Sequence, residues 1–264
     1  MGVVRVEAQT AQFDAVGLVR RAVQHRLAED KSHRPMRYVL RKTDGRRETV
    51  KVIVETKDGD VARLIEVDGR PLSAEADRVE LDRLQNLAEH PELQEHRHRS
   101  EVKDEARVDR LMGMLPDAEI YTFEGMVACD AGQCYKLSFA PNPKFEPPDM
   151  EADVLKGAAG EVLIDKEQER LVRLNARFVA DVDFGFGILA KVNKGGTAEL
   201  RQTDVGGHEW ELTGLKVRMT GRALLVKSLD IQLDEETSGY TPVAAGMGYR
   251  EAIDMLKKPE TLKK

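Results

Sequence analysis

The sequence predicts an α+β fold: one strongly curved antiparallel sheet, an open half-barrel of about ten or eleven strands, with helices covering its concave face. Three observations predict it. From residue 36 onward, apolar and polar residues alternate in run after run, the period of a half-buried strand. Asp44-Gly45, Asp58-Gly59 and Asp68-Gly69 stand between and after the first runs, and Asp-Gly suits the positive φ angles of tight hairpin turns. The helical period is concentrated in 13–30 and 73–115, the two segments available to cover an apolar sheet face.

Val16, Val19, Val23 and Leu27 recur at helical spacing in 13–30, with Asp14 placed to cap the helix and Arg20, Arg21 and Gln24 on the opposite side. This narrow stripe expects the helix to lie across something apolar. Strands follow. Met36, Tyr38 and Leu40 alternate with Arg37 and Arg41, Val50, Val52 and Val54 with Lys51 and Glu55, and Val61, Ile65 and Val67 share a third face. The segment 73–110 differs: it has 11 acids, 7 bases and no glycine in 38 residues, the composition of solvated helix faces. Leu81, Leu84, Leu87 and Ala88 form one stripe, and Val108, Leu111, Met112 and Leu115 a second. Pro91 and the polar run Glu92 to Ser100 are expected to separate two or three helices.

Strands resume at Ile120. The runs 120–128 and 134–140 flank Asp130-Ala131-Gly132-Gln133, read as a four-residue hairpin loop, and a proline-rich loop follows from Pro141 to Pro148. Next come Gly160–Asp165 and one long strand, Arg170–Phe184, with Val172, Leu174, Phe178, Val182 and Phe184 on its apolar face. Further strands are expected at about 186–193, 197–205, 209–219 and 222–234, with a bulge at Gly214-Leu215 where the apolar phase flips. Tyr249, Ile253 and Leu256 mark a last helix over 247–258. The expected organisation is one half-barrel domain, 1–240, carrying a charged helical insert at 73–115, then a terminal helix and tail, 241–264.

The 264 residues carry a formal net charge of −6, and 41% are hydrophobic, enough for a sizeable core. Mild acidity argues against a nucleic-acid partner, and no apolar run approaches the roughly 18 residues of a membrane span. Arg5 and Glu7 interrupt the first residues, so no secretory signal is read there; the protein is either cytoplasmic or a mature chain whose signal has been removed.

Local motifs for chemistry are scarce. Cys129 and Cys134, the only cysteines, flank the 130–133 loop and are expected opposite each other on paired strands. That geometry can close a disulfide and would then indicate an oxidising compartment; the other reading is two free thiols in a reducing one. Glu95-His96-Arg97-His98-Arg99 does not make a metal site, because residues two apart on a helix do not share a face and the arginines repel a cation. Phe184-Gly185-Phe186-Gly187-Ile188 lacks the third glycine and the following helix of a nucleotide loop. No nucleophile is assembled with a base, so neither a metal, a cofactor nor a catalytic set is expected.

The order of elements resembles the LolA/LolB-like superfamily of bacterial envelope proteins. The residues that carry the resemblance are Tyr38 after the first helix, Leu115-Pro116 leading into Tyr121-Thr122-Phe123-Glu124-Gly125, and Cys134-Tyr135-Lys136-Leu137-Ser138-Phe139-Ala140-Pro141. Gly160-Glu161-Val162-Leu163-Ile164-Asp165 and Arg170-Leu171-Val172-Arg173-Leu174 follow, and the likeness spans about residues 13–240. It implies an unclosed barrel with an apolar cavity, in the periplasm, binding a lipid or a lipoprotein's acyl chain without catalysis. The expected wall is Tyr38, Leu40, Tyr121, Phe123, Phe139, Phe178, Phe184 and Phe186, under a lid of Leu111, Met112 and Leu115. The alternative is an interaction or sensor module with a filled core, docking an envelope protein through the charged helices 73–110. A third reading, an enzyme, would need a carboxylate with a strongly shifted pKa in a cleft.

Overall fold

The computed structural model describes residues 13–29, 33–184, 190–223 and 227–259. Helix α1 spans Ala15–Glu29, followed by β1 (Met36–Asp44), β2 (Arg47–Val54), β3 (Val61–Val67) and β4 (Arg70–Pro71). The charged insert forms α2 (Ala74–Glu89) and α3 (Pro91–Ala118). Then come β5 (Glu119–Cys129), β6 (Gly132–Pro141), a 3-10 turn (Ala152–Lys156), β7 (Ala158–Asp165), β8 (Leu171–Phe178) and β9 (Val182–Phe184). The chain continues through β10 (Ala190–Val192), β11 (Thr197–Asp204), β12 (Trp210–Ala223), β13 (Lys227–Pro242) and α4 (Tyr249–Leu256).

The strands form one antiparallel sheet of 13, ordered β4-β3-β2-β1-β13-β12-β11-β8-β7-β6-β5, with β10 paired to β12 and β9. The end strands β4 and β5 do not pair with each other, so the curved sheet stays open. Ten strands of seven residues or more match the expected number; β4, β9 and β10, of two or three residues each, bring the total to 13.

Several boundaries differ from the sequence reading. Glu92 to Ser100 does not separate helices but forms the start of α3, 28 residues long, with Pro91 in its first turn. Proline is tolerated there because its missing N–H has no intrahelical partner. The expected strand Arg170–Phe184 is interrupted after Phe178: the chain bends at 179–180, and Val182–Phe184 then pairs with β10 rather than with the neighbours of β8. The loop between β5 and β6 is two residues shorter than expected, since Cys129 pairs with Gly132 and Ala128 with Gln133. Cys134 therefore stands opposite Val127, and the two cysteines are diagonal neighbours rather than direct partners. They are bonded, with Cα atoms 5.9 Å apart. The bulge lies at Thr213, one residue before its expected place: Arg201 faces Gly214 while Gln202 faces Leu212. The last strand runs to Pro242, eight residues beyond its expected end.

Burial explains why the helices sit where they do. Leu18, Val19 and Ala22 of α1 pack on Leu137, Val162 and Ile164 of β6 and β7. At the other end of the sheet, Leu84 and Leu87 of α2 and Ile253 and Leu256 of α4 close over Val52, Val54 and Val61. Fully burying each such aliphatic side chain contributes roughly 1.5–3 kcal/mol. Arg63 is buried here but paired: its guanidinium donates to Leu256 O (2.6 Å) and to Asp77 Oδ1 (2.7 Å), fastening α4 to α2. Gly248 precedes α4 and has no side chain to cap it; Asp58, from the β2–β3 turn, accepts from Tyr249 N instead (3.1 Å).

Candidate functional site

Among the cavities beside α3, two differ sharply in character. The first is apolar. Helix α1 contributes Val19, Ala22 and Val23, α3 contributes Met112 and Leu115, and the sheet contributes Tyr121, Phe139, Val162, Ile164, Leu171 and Leu174. No charged side chain lines it. The Tyr121 hydroxyl donates to Leu115 O (3.1 Å), tying the end of α3 to β5, and burial pushes that hydroxyl's pKa up. The enclosed volume is about 40 Å³, well below the roughly 300–1,000 Å³ of a small-molecule site.

Helix α3 is weakly seated. Of its 28 residues only Gln94, Pro116 and Ala118 are buried, and Val102 and Val108 face solvent. Hydrogen bonds fasten it near both ends, from the Tyr121 hydroxyl to Leu115 O and from Gln94 Nε2 to Asp58 O, and between them it is held by exposed ion pairs: Asp117 with Arg20 (2.8 Å), and Arg110 with Glu151 (2.6 Å) and Asp149. Pairs of this kind are worth about 0–1 kcal/mol each.

Of the residues expected to line an apolar cavity, Met112, Leu115, Tyr121 and Phe139 meet in this wall. Leu111 is half-buried on α3 outside it. Phe123, one step along β5, stacks instead on Phe13 with ring centroids 4.0 Å apart. Tyr38 stacks on Tyr240 (5.1 Å), and its neighbour Leu40 pairs across the sheet with Thr237 and Lys51. Phe178 is buried at the far end of β8, against the positions of Gly157 and Gly196. Phe184 belongs to the short strand β9, and Phe186 lies outside the described residues. Most of the wall is aliphatic, from α1 and from β7 and β8. The Val19 and Val23 stripe was the available signal, and weighting aromatics passed over it.

The second cavity, about 560 Å³, lies between α3, the β2–β3 turn, the end of α1 and the β11–β12 hairpin, and it is polar. Gly59, at φ +93°, lets α3 approach the turn; a Cβ there would stand 2.8 Å from His98 Cβ and 2.7 Å from Glu101 Oε2. Gln94 Nε2 donates to Asp58 O (3.0 Å), and Asp60 N donates to Glu101 Oε2 (3.2 Å). His33 Nε2 lies 2.6 Å from Glu55 Oε2, and its Nδ1 lies 3.4 Å from Glu211 Oε1. The hydrogen bond to Glu55 raises His33 to about 9. Burial, with Glu55 and Glu101 adding repulsion, raises Asp60 to about 7; burial likewise raises Glu211 to about 7. The sequence reading found none of these residues as a group. They come from five separate segments, with no common motif.

No family model matches the sequence, and no curated protein matches it. Among solved structures, the chain is similar to a DUF1329 family protein from Desulfovibrio piger, at 12% identity and TM-score 0.29, covering 95% of this chain and all of that one. It is also similar to a putative outer membrane lipoprotein-sorting protein domain from Vibrio parahaemolyticus, at 10% identity and TM-score 0.26, covering 91% of this chain and all of that one. A third, MucB in complex with MucA(peri), aligns at 11% identity and TM-score 0.23 over 86% of this chain and 99% of that one. Likenesses at these identities and TM-scores carry no argument about function.

Proposed function

We propose that the protein binds an apolar chain, the acyl part of a lipid or lipoprotein, between α1, α3 and the sheet, and that it does so in the periplasm without catalysis. One observation carries this reading: two helices and four strands enclose a space with no charged wall, under a helix that buries little of itself. At about 40 Å³ the space is a closed form, and a ligand enters as α3 lifts. The energetics allow it. A chain of about twelve carbons gains roughly 9 kcal/mol at about 0.8 kcal/mol per methylene, before the cost of ordering it. Against it stand the exposed ion pairs of α3, at about 0–1 kcal/mol each, and its hydrogen bonds with Tyr121, Asp58 and Asp60, at about 1 kcal/mol each. The Cys129–Cys134 bond supports an oxidising compartment.

The test is native mass spectrometry of the delipidated protein titrated with laurate, with the released ligand extracted and identified. Saturable one-to-one uptake, lost in Met112→Asp and in Leu115→Asp, is expected. A second reading is favoured by the small volume itself: a filled core, with the charged helices 73–110 as the docking surface for an envelope protein. An apo mass that persists in excess laurate moves the assignment there.

A further inference from the structure

We infer that the polar cavity is a second binding site, for an organic cation carrying ammonium or guanidinium groups. Seven carboxylates line it against Arg26 and Lys57, a formal excess of five negative charges before the two histidines are counted. An acidic wall alone would be a solvated surface. Two unsatisfied groups make it a site. Gln202 is only 7% exposed and lines the cavity, yet its side-chain amide has no hydrogen-bond partner among the described residues. Asp109 Oδ1, also in the wall, is buried without a partner. An amide oxygen and a carboxylate oxygen left unpaired at one cavity are acceptors for a donor that comes from outside.

The chemistry of that donor follows from the wall. Ammonium and guanidinium are all-donor cations, and here the acceptors outnumber the donors. Trp210 adds an aromatic wall of the kind that attracts organic cations; its indole N–H is already given to Gln168 Oε1 (3.1 Å). Among the described residues no three His, Cys, Asp or Glu side chains are grouped to hold a metal ion, so the acceptors suit an extended cation rather than a point charge. The volume of about 560 Å³ is that of a small-molecule site.

The acids also lack countercharge. Asp60 faces Glu55 and Glu101 on one side and only Arg97 and His33 in compensation; Glu211 faces Glu55 and Glu209 against His33 and Arg26. A bound cation supplies the missing charge and draws these carboxyls into the ionised form, so binding releases protons.

The experiment is isothermal titration of the full chain at pH 7, in two buffers of different ionisation enthalpy, with two probes. One is spermidine. The other is a blocked Gly-Arg-Gly peptide, which stands for a side chain of a protein partner. Saturable one-to-one binding of either probe, with proton release, is expected. Asp60→Asn combined with Glu211→Gln weakens it tenfold or more and removes the proton release, and Gln202→Leu weakens it separately. Glu199→Gln, on β11 outside the cavity, leaves it unchanged, and circular dichroism establishes that each variant is folded. Tighter binding of spermidine assigns a free polyamine; binding of the peptide alone assigns a partner's side chain. If neither probe saturates by 5 mM (roughly the weak end of specific recognition), or if the cavity variants bind as the parent does, the inference is overturned.

Discussion

Glu119 at the start of β5 is buried, at 3% exposure, and its Oε2 has no hydrogen-bond partner. Desolvation alone raises its pKa from 4.5 to about 8, with no charged partner contributing. In the unfolded chain the carboxyl ionises near 4.5, so between about pH 4.5 and 8 the folded state holds a proton that the unfolded state gives up. Stability therefore falls as pH rises across that window. At about 1.4 kcal/mol per pH unit, the loss is roughly 3 kcal/mol at pH 7 and under about 1 kcal/mol at pH 5. Glu119→Gln keeps the shape and removes the titration. It is expected to gain stability over the parent by about 2–3 kcal/mol more at pH 7 than at pH 5. Urea unfolding of both proteins at pH 5, 6, 7 and 8 measures this directly. A difference between them that does not change with pH would mean that Glu119 is ionised in the fold, and the burial argument would fail.

His33 shifts stability with pH in the same direction but over a higher window, and through a favourable charged pair rather than an unfavourable buried charge. Its pKa is raised from 6.5 to about 9, so its interaction with Glu55 stabilises fully below pH 6.5 and fades as pH rises through 9. Because the pair is partly exposed, His33→Asn is expected to cost only about 1 kcal/mol at pH 6 and little at pH 9.5; equal losses at both would refute the pairing. Cys129→Ala with Cys134→Ala removes a small covalent ring and should lower stability by about 2 kcal/mol in a denaturant titration, while the parent gains two hydrogens in mass on reduction. Asp58→Ala removes the cap of α4 and should cost about 1 kcal/mol, with faster amide exchange at Tyr249 as the local sign; unchanged exchange there would dismiss the cap.

The class of the fold was legible because it rests on local repetition. Alternation at Val50, Val52 and Val54 and the turn at Asp68-Gly69 need only neighbouring residues to be recognised, and the structure places both as read. The errors share one cause. The apolar phase continues through Val179 and predicts one strand; what interrupts it is a bend at 179–180, after which Val182–Phe184 pairs with β10, a partner the local pattern does not record. The cysteines were expected face to face because loop length was inferred, whereas the ladder fixes them as diagonal neighbours.

The candidate sites divide along the same line. Helical periodicity marked Met112 and Leu115, and the resemblance marked Tyr121 and Phe139; these four meet in one wall, whereas Tyr38, Leu40, Phe123 and Phe178, expected with them, do not. By itself, the sequence determined which faces are apolar, since that depends on residues two to four positions apart. Only the tertiary structure decided that the apolar space is nearly closed, and that Glu55, Asp60, Gln202 and Glu211 converge on a separate polar cavity. Enclosed volume and the desolvation of a carboxylate are set by whatever the fold packs around it, and no local pattern of residues records them.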